Sequence, residues 1–98
     1  MEVQFEDPDL DRLEIDPAFT GGHPPGIVKA YRWTIQVIRA APDERDFYAL
    51  RGLNFEKLQG ARSHQHSMRL NAQWRLILEL RGKGPKKVIH LMGIEDYH

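Results

Sequence analysis

The second half of the chain alternates apolar and polar residues with the two-residue period of β-strands. His66, Met68 and Leu70 share one face of a first predicted strand. After a short loop, a second strand alternates over residues 74–80, and an apolar run at 88–94 makes a last strand. Apolar residues at alternate positions predict a sheet with one buried face.

The first half of the chain has the longer period of an amphipathic helix. Residues 25–41 place Ile27, Tyr31, Ile35 and Ile38 on one side, at intervals of three or four residues. Such a stripe predicts a helix that packs on a core through one face.

Shorter elements complete the predicted order. A strand around Val3 and Phe5 opens the chain, a short helix after Asp7-Pro8 belongs with the loop that follows it, and a second short helix covers 43–52. The order is therefore β-α-α-β-β-β. It predicts an α+β fold with a small antiparallel sheet and with the helices packed on one face.

One loop decides which residues face each other across two of these strands. If residues 71–73 form the loop, Arg69 lies directly opposite Arg75. Like charges in that position destabilise a sheet, so an anion is expected nearby. The anion is either an internal carboxylate, such as Asp96 or Glu56, or an external phosphate, and both remain open.

Composition favours a single globular domain over residues 1–98. The 98 residues include no cysteine, which excludes disulfides, a thiolate nucleophile and Cys-based zinc sites. The acidic start and the lack of a long apolar run predict neither a secretory signal nor a membrane span. A cytoplasmic location is therefore expected.

The formal net charge of zero conceals an asymmetry between the two halves. Residues 1–48 carry ten acidic and five Lys or Arg side chains, a net −5. Residues 49–98 carry four acidic and nine Lys or Arg side chains, a net +5. This split suggests two surfaces with different partners, and the open alternative is that folding mixes the charges again.

Three stretches in the second half carry a family resemblance. They are Phe55, Leu58, Gly60 and Arg62; Ser67-Met68-Arg69-Leu70-Asn71 with Trp74-Arg75-Leu76; and Asp96-Tyr97-His98. In this combination the chain resembles the plasmid-maintenance killer proteins, the HigB type of toxin within the RelE/ParE superfamily. The resemblance covers the second half closely and the first half in outline.

This resemblance implies a RelE/ParE-like fold and the toxin of a type II toxin–antitoxin system, an endoribonuclease (mRNA interferase) that cuts mRNA on the ribosome. It implies a helical helix-turn-helix antitoxin of the HigA type, with operator DNA reached only through that antitoxin. It implies no metal, no cofactor and no membrane partner. Two alternatives stay open: a ParE-type gyrase inhibitor, and a catalytically weakened regulator that binds the antitoxin.

RNA cleavage without a metal needs a base for the 2′-hydroxyl, cations around the phosphorane and an acid for the leaving oxygen. Arg75 is the expected catalytic cation, and His98 is the expected acid or base because histidine titrates near neutral pH. Tyr97 is expected to stack on a nucleobase or to bond a hydroxyl. Asp96 is expected to orient His98 or Arg75, and Glu56 is a candidate base.

A second set of residues is expected to bind RNA. These residues are Arg62, Arg69, Gln59, Lys57, Lys83, Lys86 and Lys87. Arginine offers the fork geometry that suits phosphate. Relatives commonly carry His and Lys where this chain has Glu56 and Gln59, and glutamine supplies neither a base nor a cation, which favours weak activity.

Two further features have open interpretations. His64 and His66 fall on the same side of a predicted strand, as half of a metal site would, but no cysteine or clear third ligand accompanies them. Surface or RNA-contact histidines are therefore favoured. Trp33 falls off the apolar stripe of the long helix, so it is either an antitoxin contact or simply an exposed tryptophan.

Overall fold

The computed structural model describes residues 1–96, apart from the side chain of Pro85, and Tyr97 and His98 lie outside the described residues. The described elements are β1 (Glu2–Phe5), α1 (Pro8–Ile15), α2 (Pro25–Ala40), α3 (Arg45–Ala49), β2 (Glu56–Lys57), β3 (His66–Arg69), β4 (Trp74–Arg81) and β5 (Val88–Asp96). Short 3₁₀ turns lie at Arg51–Leu53, Gly60–Arg62 and Gly84–Lys86. In this described part, no helix is both long and apolar enough to cross a lipid bilayer.

The strands form one sheet in the order β1-β5-β4-β3-β2. The predicted α+β fold is confirmed, and neighbouring strands run antiparallel except β1 and β5, which are parallel. Only strands joined by a hairpin are forced to be antiparallel, and β1 lies far from β5 along the chain. The structure also adds two elements to the predicted order, because α1 is a separate helix and β2 is a short edge strand.

Asp7 determines where α1 begins. Its Oδ1 accepts hydrogen bonds from the backbone N of Asp9 at 2.8 Å and of Leu10 at 3.1 Å. These bonds satisfy donors that the first turn of a helix leaves open. Pro8 occupies the first turn, where its missing N–H is not needed. The helix then buries Leu10 and Leu13.

The long helix α2 packs its apolar stripe on the sheet, as predicted. Its buried residues are Ile27, Val28, Tyr31, Thr34, Ile35 and Ile38. The core residues of β3, β4 and β5 are Met68, Leu76, Leu78, Ile89 and Leu91. Tyr31 is fully buried, and its hydroxyl donates a hydrogen bond to the carbonyl oxygen of Leu10 at 2.7 Å. This bond ties α2 to α1.

A β-bulge at Met92 interrupts the last strand. The register between β4 and β5 passes from Leu78–Leu91 to Ile77–Gly93 and skips Met92. One skipped residue reverses which later residues face each side of a sheet. The end of β5 therefore presents different side chains to each face than strict alternation would.

The face of the sheet away from the three α-helices, called the outer face below, is covered at its centre by residues 58–65. Ile77 alternates with the helix-side core residues of β4 and is nevertheless fully buried. The covering segment is held by side chains: Nε2 of Gln65 donates to Oε2 of Glu79 on β4 at 3.3 Å, and Arg62 reaches β5. The centre of the outer face is therefore buried.

Removing the Tyr31 hydroxyl tests the link between the first two helices. Tyr31→Phe is expected to lower the free energy of unfolding by about 1 kcal/mol, because one buried hydrogen bond to the Leu10 carbonyl is lost. Urea unfolding followed by circular dichroism measures the change. Tyr48→Phe, at an exposed tyrosine of α3, is the control and should unfold like wild type. Wild-type stability in Tyr31→Phe would contradict the assigned bond.

Candidate active site on the outer face of the sheet

Three charged residues form a row across the outer face. Arg69 of β3 pairs with Arg75 of β4, and Arg75 pairs with Glu95 of β5. Residues paired in this way project their side chains from the same face. The predicted Arg69–Arg75 pairing is thus confirmed, and the backbone N of Leu70 donates to the carbonyl oxygen of Trp74 at 2.9 Å, where the loop closes.

Arg62 joins the row from the covering segment. Its Nη1 and Nη2 donate to Oε1 and Oε2 of Glu95 at 3.0 Å and 2.7 Å, and its Nε donates to Oε1 of Gln65 at 3.0 Å. Nη2 of Arg75 lies 3.9 Å from Oε1 of the same Glu95 carboxylate. Arg62, Arg69, Arg75 and Glu95 are called the arginine–Glu95 cluster below.

Solvent reaches this cluster. The side chains of Arg62 and Glu95 are 42% and 41% exposed, and that of Arg75 is 20% exposed. Hydrogen bonds from Arg62 lower the pKa of Glu95 below its ordinary value, and this effect outweighs the opposing effect of burial. The same contact raises the pKa of Arg62. The Glu95 carboxylate and the Arg62 guanidinium therefore stay ionised at neutral pH.

The cluster is suited to holding an oxyanion. Three guanidinium groups and one carboxylate leave it with a net positive charge. Guanidinium groups donate two parallel hydrogen bonds to phosphate or carboxylate oxygens. Chemically, the arrangement favours binding a phosphate and stabilising negative charge that develops on it.

The edge strand β2 carries two predicted site residues, one near this cluster and one on the opposite face of the sheet. Glu56 pairs with Ser67, which places it on the outer face at a diagonal separation of about 7–8 Å from Arg69. Lys57, the next residue, points to the helix side. Gln59 is exposed and lies two residues after the end of β2.

The end of β5 carries Asp96, another of the predicted catalytic residues. Asp96 pairs with Trp74, a register on the helix side of the sheet, and its Oδ2 accepts a hydrogen bond from Nε2 of Gln73 at 3.0 Å. The predicted roles of Tyr97 and His98 concern residues that lie outside the described part of the chain.

The predicted basic turn is at the other end of the sheet. Six residues of β4, about 20 Å of strand, separate Arg75 from the start of this turn. Lys83 and Lys86 are exposed there, and Lys87 forms an ion pair with Glu44 beside α3. The structure therefore does not bring these lysines to the arginine–Glu95 cluster.

His64 and His66 face opposite sides of the sheet, so the expectation of a shared side was wrong. β3 begins at His66, and His64 lies in the preceding turn, outside the strand's alternation. Nε2 of His64 is 3.7 Å from Glu79 on the outer face, whereas His66 stacks on Phe55 of the core. Burial, with the nearby Lys57, lowers the pKa of His66. No group of three His, Cys, Asp or Glu within residues 1–96 is placed to hold a metal ion.

Glu95 is the site residue that the sequence pattern did not reveal. The sequence suggested Asp96 or Glu56 as an internal anion near Arg69 and Arg75, which lie on the outer face. The bulge at Met92 places Glu95 there instead. Gly93 was the available signal, since a glycine inside a strand often marks a bulge.

Solved structures that share the fold of this chain include two bacterial proteins. The YoeB/ParE toxin from Agrobacterium tumefaciens superposes with a TM-score of 0.65 at 16% identity, covering 100% of both chains. YafQ from E. coli strain BL21(DE3) superposes with a TM-score of 0.54 at 12% identity, covering 98% of this chain and 92% of that one. At such identities the likeness concerns the fold alone. No curated protein sequence matches the chain.

Sequence similarity identifies the family. The sequence model of the HigB-like toxins, described as the RelE-like toxin of the type II toxin–antitoxin system HigB, matches residues 3–94. The match spans nearly the whole chain and includes Arg62, Arg69 and Arg75, so the resemblance seen in the second half is confirmed. The chain therefore belongs to the HigB-like family of RelE-like toxins from type II toxin–antitoxin systems.

Proposed function

We propose that this toxin is an endoribonuclease that cleaves mRNA on the ribosome and thereby inhibits translation. The observation that carries the proposal is the row of Arg69 and Arg75 on the outer face, which Arg62 joins and solvent reaches. A backbone phosphate of RNA is an oxyanion that guanidinium groups hold well. Membership in a family of RelE-like toxins supports the same conclusion.

The proposed cleavage uses side chains of the chain itself, without a metal. Arg75 stabilises the charge that develops on the phosphorane. Glu56, which lies on the same face, takes the proton of the 2′-hydroxyl. His98 protonates the leaving 5′-oxygen, Asp96 orients it, and Tyr97 stacks on a nucleobase.

Phosphates that flank the cleaved bond are proposed to meet the remaining polar residues. Arg69 pairs with Arg75 across the strands and Arg62 shares Glu95 with it, so both would hold the neighbouring backbone. Gln59, exposed beside β2, would extend this surface, with Lys57 contributing positive charge at the sheet edge. The basic turn at the far end would touch RNA through salt-sensitive phosphate contacts.

A type II toxin implies an antitoxin partner, and we propose a helical helix-turn-helix protein of the HigA type. That partner would carry the complex to operator DNA. Trp33 supports α2 as part of the contact surface, because its side chain is 56% exposed although α2 is otherwise packed on the core. The acidic first half of the chain would meet the antitoxin. Because translating ribosomes and operator DNA are cytoplasmic, the protein would act in the cytoplasm.

A ParE-type gyrase inhibitor is the second candidate. Gln59 supports it, because relatives commonly carry lysine there and glutamine supplies no cation to a phosphate. One structure with the same fold is described as a YoeB/ParE toxin. The same substitution supports a catalytically weakened regulator that acts only by binding the antitoxin.

A translation extract distinguishes these candidates. The purified chain is expected to shorten mRNA when ribosomes translate it and to leave DNA supercoiling by purified gyrase unchanged. Intact mRNA together with inhibited supercoiling would support the gyrase inhibitor. Intact mRNA with normal supercoiling would support the regulator and overturn the ribonuclease proposal.

Truncation of Arg75 tests the catalytic cation. Arg75→Ala is expected to relieve growth arrest and to slow mRNA cleavage by about 10²-fold or more, because a charge that stabilises the phosphorane is removed. The melting temperature should change little, since Arg75 lies outside the helix-side core. Arg39→Ala, which removes an arginine paired with Glu14, is the control and should remain toxic. A large stability loss with unchanged toxicity would make Arg75 purely structural.

Removal of the acid and of the base tests the proton transfers. His98→Gln keeps the chain length and is expected to slow cleavage by ~10²–10⁴-fold, because the leaving oxygen loses its proton donor. Glu56→Gln is expected to cause a comparable loss. Both rates are measured on mRNA in a translation extract. A wild-type rate for His98→Gln would assign the end of the chain to binding or packing, and a wild-type rate for Glu56→Gln would eliminate that carboxylate as the base.

Charge reversal in the basic turn tests the assignment of the two surfaces. The double variant Lys83→Glu/Lys86→Glu is expected to lower toxicity and to leave the antitoxin complex intact, because these lysines would contact RNA phosphates. Lys87 stays unchanged because it pairs with Glu44. Growth arrest and co-purification with the antitoxin are the readouts. Lost antitoxin binding with undiminished toxicity would mean that the surfaces are assigned the wrong way round.

A further inference from the structure

The phosphate site proposed above already contains an anion. Glu95 pairs in register with Arg75 and accepts two hydrogen bonds from Arg62, at 3.0 Å and 2.7 Å. Arginine holds a phosphate in the same geometry, with two parallel N–H groups donating to two oxygens. The family match ends at residue 94, so it does not cover Glu95.

The two arginines hold this carboxylate unequally. Arg62 contacts it through two short hydrogen bonds, whereas Nη2 of Arg75 lies 3.9 Å from its Oε1, beyond hydrogen-bond length. The Glu95 side chain is also about two-fifths exposed. Ion pairs that water reaches contribute only about 0–1 kcal/mol. The interaction of Arg75 with Glu95 is therefore weak enough for another anion to replace it.

We propose that Glu95 is the resident anion of the phosphate subsite: an RNA phosphate replaces its carboxylate as the partner of Arg75, and Glu95 thereby weakens RNA binding. The proposal rests on the proposed function, because it concerns how the same site takes up its substrate. The negative charge of Glu95 remains a few ångströms from the bound phosphate and repels it. Arg62 stays with Glu95 and keeps the covering segment on the sheet.

Because Glu95 stays ionised, this repulsion persists at neutral pH. Hydrogen bonds from Arg62 lower its pKa, so the carboxylate remains charged at neutral pH and in mild acid. Arg75 adds to the same effect through its charge. The site therefore binds RNA less tightly than its three arginines alone would.

Glu95→Gln tests the proposal, since it removes the charge and keeps the shape. The probe is a short single-stranded RNA with 2′-O-methyl sugars, which the chain cannot cleave, and its dissociation constant is measured over a range of salt concentrations. The variant is expected to bind about tenfold more tightly at low salt, the size expected for one nearby unit charge. A plot of the logarithm of its association constant against the logarithm of the salt concentration should be steeper by about 0.7. This is the contribution of one further neutralised phosphate.

Glu14→Gln is the matched control. Glu14 accepts two hydrogen bonds from Arg39, both at 2.8 Å, so the variant removes the same charge from the same kind of pair. That pair joins α1 to α2 on the helix side of the sheet. RNA affinity and salt dependence should equal those of wild type. A gain in affinity equal to that of Glu95→Gln would mean that net charge alone is responsible and would overturn the proposal.

Glu95→Asp separates charge from geometry. It retains the negative charge with a shorter reach and is expected to bind the RNA probe within about twofold of wild type. Unchanged or weaker binding by folded Glu95→Gln would show that Glu95 only positions Arg62, and the proposal would be wrong. Failure of Glu95→Gln to fold would also overturn it, because an indispensable partner of Arg62 is not a replaceable anion.

This test does not depend on cleavage. The RNA probe reports binding alone, whereas the ribonuclease proposal is judged by cleavage of translated mRNA. Measurable binding that Glu95→Gln does not tighten would overturn the role of Glu95 and leave the ribonuclease proposal in place. Tightened binding without any mRNA cleavage would support the role of Glu95 and overturn the ribonuclease proposal. No binding by either protein at low salt would overturn the phosphate subsite itself.

Discussion

The register between β4 and β5 is the constraint on which the candidate site depends. The bulge at Met92 turns Glu95 to the outer face, directly opposite Arg75, and leaves Asp96 on the helix side. Without the skipped residue, continued pairing would place Ile94 opposite Arg75. A single extra residue in one strand therefore decides whether the arginines meet a carboxylate or an apolar side chain.

The two faces of the sheet differ, because one buries the core and the other carries the candidate site. On the helix side, α2 and the central strands bury a continuous apolar core, which stabilises the fold. On the outer face, residues 58–65 cover the centre. The charged row lies near the end of the strands, where solvent reaches it. Facing arginines there destabilise the sheet by about 1 kcal/mol or less. Glu95 offsets part of that repulsion, and the core tolerates the rest.

Local patterns in the sequence predicted most of the fold and one strand pairing of the candidate site. The stripe of α2 follows from helical spacing, and the Arg69–Arg75 pairing follows from the length of one loop. Both depend on residues close together in the chain. The parallel pairing of β1 with β5 and the contact of Arg62 with Glu95 join distant segments, so local spacing does not reveal them. The bulge at Met92 reverses the alternation along β5 and places Glu95, rather than Asp96, opposite Arg75.

In the proposed function, the arginines of the outer face bind an RNA phosphate and do more than pair with Glu95. The most direct test is a nuclear magnetic resonance titration that follows the side-chain Nε–Hε signals as uncleavable single-stranded RNA is added. Phosphate binding by these arginines predicts shifts at Arg62, Arg69 and Arg75, with no shift at Arg39 of the pair with Glu14. Shifts at Arg39 with unchanged signals from the three outer-face arginines would contradict it.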